Sequence, residues 1–423
     1  MSNIIEDGNV IKLSGKFGML DIHSFLGTAY YVVEKKGYQD IILDFSELTA
    51  AFPGPMITVC SRALLYRERQ IDVDIVLPKQ DALRRLFINT NWANLINPET
   101  QLESRFRGFT HVPAIHFRDA KEQGQAVEKI LNAILSSVTE IKRKDLAAVE
   151  WAINEITDNV LVHSSSSYGG LLQLSSFNTR QKRIEYTVCD AGCGIPRSLG
   201  QVLTNKTDVE LLDLAIMEGV TNGKGMGNGL FGSYETSYRS GGYFNVHSGN
   251  ASLAYVHSNK VKSKFKTEKI VKNEKVPYNG TLVVSCLDYS VPHLLESALV
   301  FKGKKEVVPD SIEVLYEDFD EDQINFLLTK ESETFGTRIA GAAVRNKVIN
   351  LLSFHPSHFP IIINFKNVPV ISSSFADEVF GKLIESIGEE QYTSRVKLIG
   401  CDSLNSMLIE RAVSQRIEIH NVA

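Results

Sequence analysis

Cysteine and tryptophan are scarce in this chain, and long apolar runs are missing. The five cysteines (Cys60, Cys189, Cys193, Cys286 and Cys401) are odd in number and show no paired CxxC spacing. Neither a disulfide framework nor a zinc-ribbon ligand set is readable from them. They read as small buried apolar residues in a reducing compartment, so the expected location is the cytoplasm. No stretch approaches the ~18 consecutive apolar residues that a membrane-spanning helix needs. The start, MSNIIEDGNV, lacks the basic-then-apolar order of a secretory leader. No membrane partner is expected. Basic residues number 45 against 50 acidic, a net charge of −5, which argues against a nucleic-acid partner.

What is present is the balance of a soluble globular protein. Hydrophobic residues at 43% and charged residues at 22% exclude a disordered chain, a collagen-like repeat and a coiled-coil rod. The 423 residues suggest about three domains at ~150 residues each. Ile41 to Phe45 is a short apolar run that reads as a buried strand, followed by a helix from Ile57 to Arg69 and a strand from Ile71 to Leu77. Between Asp119 and Ile141, the residues Ala126, Ile130, Ile134, Val138 and Ile141 recur at helical spacing, a stripe for a core or a dimer seam. A second helix is expected from Asp145, as its N-cap, to His163. Strands are expected at Leu171–Ser175, Ile184–Cys189, Tyr243–Val246, Leu253–Val256 and Thr281–Leu287, with a helix near Val209–Glu218. The lysine-rich segment 260–275 reads as a solvated hairpin tip. In the last third, Ile339–Leu352 and Phe375–Ile387 read as helices and Pro360–Phe365 as a strand. At an offset of 320 residues, Ile41–Phe45 aligns with Ile361–Phe365, and both copies run into a turn and a helix.

Three separated patches carry chemistry. Glu155, Asn159 and His163 are four residues apart and share one helix face. A carboxylate there can polarise a water, and an amide oxygen suits a hard cation such as Mg²⁺. Asp190-Ala-Gly192-Cys-Gly194 follows a strand, where the glycines let backbone approach a ligand without a Cβ. Gly223-Lys224-Gly225-Met-Gly227-Asn-Gly229 leads into a helix, and alternating glycines ahead of a helix N-terminus suit phosphates. It is neither a Walker A loop nor a Rossmann turn. Taken singly, the patches also read as a solvated stripe, a tight turn and a mobile loop.

In this order and at these separations, the three patches resemble the GHKL superfamily of ATPases, which includes DNA gyrase, the histidine kinases and MutL. Glu155 and Asn159 match its N box, and Asp190, Gly192 and Gly194 its first glycine box. Gly223, Gly225, Gly227 and Gly229 match the lid, and Gly280-Thr281 the closing Gly-Thr. The resemblance implies a Bergerat-type α/β sandwich, a mixed sheet covered on one face by helices, over residues 144–290. It implies ATP and Mg²⁺ as cofactors. Asn159 would ligate Mg²⁺, Asp190 would accept from the adenine amine, and Thr281 would assist. Lys224 and the lid glycines would lie over the phosphates, and Glu155 would be the general base. His163 stands either at the phosphates or as a helix-end cap. The helices at 119–141 and 142–162 contain no histidine, which argues against a two-component histidine kinase.

The flanks resemble the STAS fold of anti-sigma-factor antagonists: 1–118 as a degenerate copy and 300–423 as a C-terminal domain, joined to the ATPase region by a connecting helix at 119–143. Residues 335–420 resemble a bacterial STAS-like family of unknown function. The carrying stretch is Val368-Pro-Val-Ile-Ser372-Ser373-Ser374-Phe375-Ala-Asp377. Ser374 falls where the antagonists carry their phosphorylated serine, but Ser372 and Phe375 replace the flanking Asp and Gly. Ser374 therefore reads either as a phosphorylation site or as a helix N-cap supported by Asp377. The N-terminal turn, Phe52-Pro53-Gly54-Pro55, has no hydroxyl. His355 and His358 read as unrelated imidazoles rather than a metal pair. The expected function is an ATP-binding regulator with slow Mg²⁺-dependent hydrolysis, working through a protein partner or self-association. A serine kinase acting on a STAS domain and a non-catalytic ATP sensor are the alternatives.

Overall fold

The structure is a computed structural model that describes residues 2–100, 112–138, 140–177, 182–223, 227–258, 266–293, 297–301, 303–305 and 310–422. It is a mixed α/β protein whose described residues gather into two units. One holds the residues up to Ile130 and from Ala148 to 305; the other holds Leu131–Ala147 and the residues from 310 onward. No described helix is long and apolar enough to cross a membrane.

The first unit contains two principal sheets. Strands β1 (Ser2–Asp7), β2 (Val10–Phe17), β3 (Asp40–Ala51) and β4 (Asp72–Val76) lie in sequence order. The first pair is antiparallel and the next two are parallel. Ile41, Leu43 and Phe45 are buried at a period of two, so β3 turns one apolar face inward. The helix Pro53–Glu68 follows, with proline at its first position, where a missing N–H costs nothing.

The central sheet consists of β5 (Ile115–Phe117), β6 (Gly170–Phe177), β7 (Arg183–Asp190), β8 (Tyr243–Ser258) and β9 (Lys266–Asp288), in the order β5-β6-β7-β9-β8. Every pairing is antiparallel, where a mixed sheet was expected. The two strands expected at Tyr243–Val246 and Leu253–Val256 are one, interrupted by register shifts between Ser248 and Ala251. Lys269 of the lysine-rich segment pairs with Asp213 at 2.6 Å, while 259–265 lie outside the described residues. A short ribbon of β10 (Val300–Phe301) and β11 (Lys304–Lys305) follows.

The N-terminal elements cover one face of this central sheet, where helices on a single face were expected. On that face Ser61 meets the Tyr168 hydroxyl at 2.6 Å, and Thr58 meets that of Tyr278 at 3.2 Å. Cys189 Sγ lies 2.9 Å from the same Tyr278 oxygen. A Cβ on Gly54 would stand 3.1 Å from Val284. One core therefore runs from Phe17, Phe25 and Trp92 through to Leu171, Leu282 and Val284. The expected burial holds for three of the five cysteines, Cys60, Cys189 and Cys286, while Cys193 and Cys401 are only partly buried.

The second unit repeats the first sheet's topology. Strands β12 (Glu317–Asp318), β13 (Gln323–Leu327), β14 (Ile361–Asn364) and β15 (Val396–Ile399) again give one antiparallel and two parallel pairs in sequence order. Ile361, Ile362 and Ile363 are all buried, as a central parallel strand requires. The Asn350 amide donates to the carbonyls of Leu135 and Val138 at 2.8 Å, and buried Lys347 reaches Asn132 at 3.0 Å and Glu331. Two helix starts differ from expectation. The helix Arg143–His163 begins two residues before Asp145, because Arg143 is held by Asp310 at 2.6 Å and by Glu317; Asp145 lies buried in the first turn. Ser372, not Ser374, caps the helix near 373: Ser372 is extended and its Oγ accepts from the Phe375 N–H at 3.0 Å, while Ser374 is already helical. The stripe from Ala126 to Ile141 is core throughout, although its helix, Ala120–Ser137, ends before Val138. His355 is buried between the Leu351 carbonyl and Glu317, each at 2.6 Å.

Candidate functional site

The helix Arg143–His163 packs Ile153, Ile156 and Val160 into the core, which fixes its rotation. Glu155, Asn159 and His163 then fall along the wall of a cavity of about 390 Å³, and Trp151 extends the same stripe by one turn. That volume is within the range of small-molecule sites. Trp151 packs against Phe301 with tilted rings, centroids 5.7 Å apart. A Cβ on Gly232 would collide with the Trp151 ring at 2.4 Å.

Asp190 ends β7 and is directly paired with Thr281 of β9; both line the cavity. The Gly192 N–H donates to Asp190 Oδ1 at 2.7 Å. Burial pushes the Asp190 carboxyl up to about 7, against the opposing pull of backbone N–H groups at Gly192 and Thr281. Gly192 stands behind the cavity wall, where a Cβ would lie 2.0 Å from the Ser164 carbonyl oxygen. Gly194, at φ +79°, lines the cavity and opens the short helix Ile195–Leu199.

Part of the third patch is brought against the first. Gly227 and Gly229 line the cavity, and Gly229 starts the helix Gly229–Ser240. A Cβ on Gly229 would meet Glu155 Oε2 at 2.5 Å and the Asn159 amide at 3.4 Å, so the Gly229 backbone rests directly on the helix stripe. Gly223 is off the cavity wall, and Lys224 and Gly225 lie outside the described residues. His163 is a wall residue: its Nδ1 is 3.2 Å from Asn222 Nδ2, which also donates to Ser198 Oγ at 2.8 Å.

Trp151, Ser198 and Asn222 line the cavity without belonging to any of the three patches, and Ser248, which does not line it, stands beside Thr281 with its Oγ 3.3 Å from Thr281 Oγ1. Trp151 was within reach, since it stands four residues before Glu155. Asn222 adjoins the glycine run and Ser198 follows the glycine box. Ser248 has only a weak signal, the Ser-Gly-Asn break inside a strand pattern.

The donor set suits hard cations. Asn159, Glu155 and Asp158 offer oxygens to the cavity. Among the described residues no group of three or more His, Cys, Asp or Glu side chains could hold a metal alone.

Among known families, a profile described as a STAS-like domain of unknown function matches residues 340–405. The C-terminal segment is thus STAS-like, as the Val368–Asp377 stretch suggested. No curated protein matches the chain.

Proposed function

We propose that this protein binds Mg²⁺·ATP in the central cavity through a GHKL-type site, hydrolyses it slowly and couples nucleotide state to its STAS-like parts. The observation that carries this reading is convergence. Residues from four separated motifs (Glu155 and Asn159, Asp190 and Gly194, Gly227 and Gly229, and Thr281) line one cavity. Asp190 at the buried end accepts from the base amine. Asn159 holds the cation that offsets phosphate charge. Glu155 takes the proton from the attacking water, an interaction that matters mainly in the transition state. STAS-like domains commonly mediate protein contacts, so a protein partner is part of the reading.

Serine-kinase activity is the second reading. Its support is that Ser372 supplies the cap, which leaves the Ser374 hydroxyl without that duty. Incubating pure protein with Mg²⁺·ATP, then measuring released phosphate and intact mass, separates the readings. Free phosphate means hydrolysis and an added phosphoryl mass means kinase activity. Binding by calorimetry without either means a sensor, and no binding removes all three.

A further inference from the structure

Two glycines and a serine let the helix Gly229–Ser240 lie close against the helix Arg143–His163. Gly229, Gly232 and Ser233 share one face of their helix and are buried. A Cβ on Gly229 would lie 2.5 Å from Glu155 Oε2, and one on Gly232 would lie 2.4 Å from Trp151 Cζ3. Ser233 Oγ donates to the Ala152 carbonyl at 3.4 Å. Three pairs of positions therefore stand opposite one another: Gly229 with Glu155, Gly232 with Trp151, and Ser233 with Ala152. A slide of one helix along the other breaks all three together.

The register is closed from outside this pair of helices. Phe301, in the ribbon of β10 and β11, is buried. Its ring centroid lies 5.7 Å from that of Trp151 and 5.8 Å from that of Phe231. The Cβ placed on Gly232 would also stand 3.1 Å from Phe301 Cζ. One phenyl ring thus touches both helices at the turn where they meet. Ala298 and Leu299 before it are buried as well, while Val300, Lys304 and Lys305 are exposed. The ribbon has two residues in each strand, too few to be stable alone. Its place depends on the packing of these apolar side chains.

We infer that Phe301 is a positioning residue: it clamps the first turns of the helix Gly229–Ser240 to the helix that bears Glu155 and Asn159, and so sets the register in which Gly229 meets those two side chains. Phe301 lies beyond the 144–290 stretch that carries the GHKL resemblance, and none of the motifs there specifies it. The consequence for turnover rests on the nucleotide reading above, whereas the clamp itself does not. Close-packed interiors transmit small displacements, and a shift of about 1 Å at reacting groups can cost ~10²-fold in rate.

The test uses the full chain with Phe301→Leu, which keeps most of the apolar volume, and Phe301→Ala, which does not. Amide hydrogen exchange is followed first, without nucleotide. The amides of 232–236 include Gly232 N–H, which donates to the Asn228 carbonyl at 2.7 Å. They should exchange about tenfold faster or more in Phe301→Ala and less so in Phe301→Leu, while 184–189 in β7 keep the wild-type rate. Unchanged exchange at 232–236 overturns the clamp. An equal rise at 184–189 overturns it too, since Phe301 would then support the core in general. Phosphate release from Mg²⁺·ATP is the second readout. Its maximal rate should fall about tenfold or more in Phe301→Ala, with part of it restored in Phe301→Leu. Calorimetry should give the wild-type stoichiometry and an affinity within about threefold, because Asp190, Thr281 and Asn159 are untouched. A rate that falls only as far as the binding stoichiometry falls overturns the positioning role, because unfolded molecules would account for it. Wild type that binds no nucleotide, or binds it without turnover, removes that reading or its hydrolytic step, and the exchange result alone then decides the clamp.

Discussion

Asp190 titrates near 7 when folded, against a reference of 3.8. Between those values the folded protein holds the proton more tightly than the unfolded chain. This group's contribution to stability is therefore fully present below about pH 4 and lost as pH rises through about 7. Asp190→Asn is expected to melt above wild type near pH 8, with the gap closing near pH 5. An equal gap at both values would mean that another group titrates. On the proposed nucleotide reading, affinity should run the other way, because an amine donor needs the ionised carboxylate. ATP affinity should rise from about pH 6 to 8, and Asp190→Asn should lower it about ten- to a hundredfold. Glu155→Ala should keep ATP affinity within a few-fold and slow phosphate release by ~10²–10⁴-fold. Phosphate release at the wild-type rate would take the base role away from Glu155.

At the level of elements, the helix Arg143–His163 was legible because its spacing is local: four-residue steps put Glu155, Asn159 and His163 in line whatever the rest of the chain does. Helix ends were less so. Three consecutive serines offer three N-caps, and which one acts depends on where the chain leaves its extended conformation, which is Ser372. Ser372→Ala should cost about 1 kcal/mol in chemical denaturation, while Ser374→Ala should stay within a few tenths. The reverse order would return the cap to Ser374. Ser248 was illegible for a different reason. Its partners come from the 190–195 loop and from β9, and no pattern within one strand marks a residue whose role is to join two others. The covering of the central sheet's second face was hidden likewise. The helix Pro53–Glu68 is apolar or small on nearly every side, which reads equally well as burial in its own small domain.

For the molecule as a whole, that shared core predicts joint behaviour within the first unit. The chain's two tryptophans report from its two halves: Trp92 beside the helix Pro53–Glu68, and Trp151 at the cavity. With Trp151→Phe or Trp92→Phe leaving one reporter at a time, both should show one unfolding midpoint. Nucleotide at about 100 times its Kd should raise both by the same ~2.7 kcal/mol. A Trp92 signal that melts separately and ignores nucleotide would mean that the N-terminal sheet is an independent body.

The same packing has a consequence for how the chain is made. The helix Pro53–Glu68 leaves the ribosome long before β9, which ends at Asp288. At ~5–20 residues per second, its outer face waits roughly 10–40 s for the sheet that covers it. During that interval the nascent N-terminal segment is an unfinished surface, and the step that closes it is the arrival of the strands bearing Asp190 and Thr281. Completion of the cavity wall that carries Asp190 and Thr281 and completion of the N-terminal fold are one event.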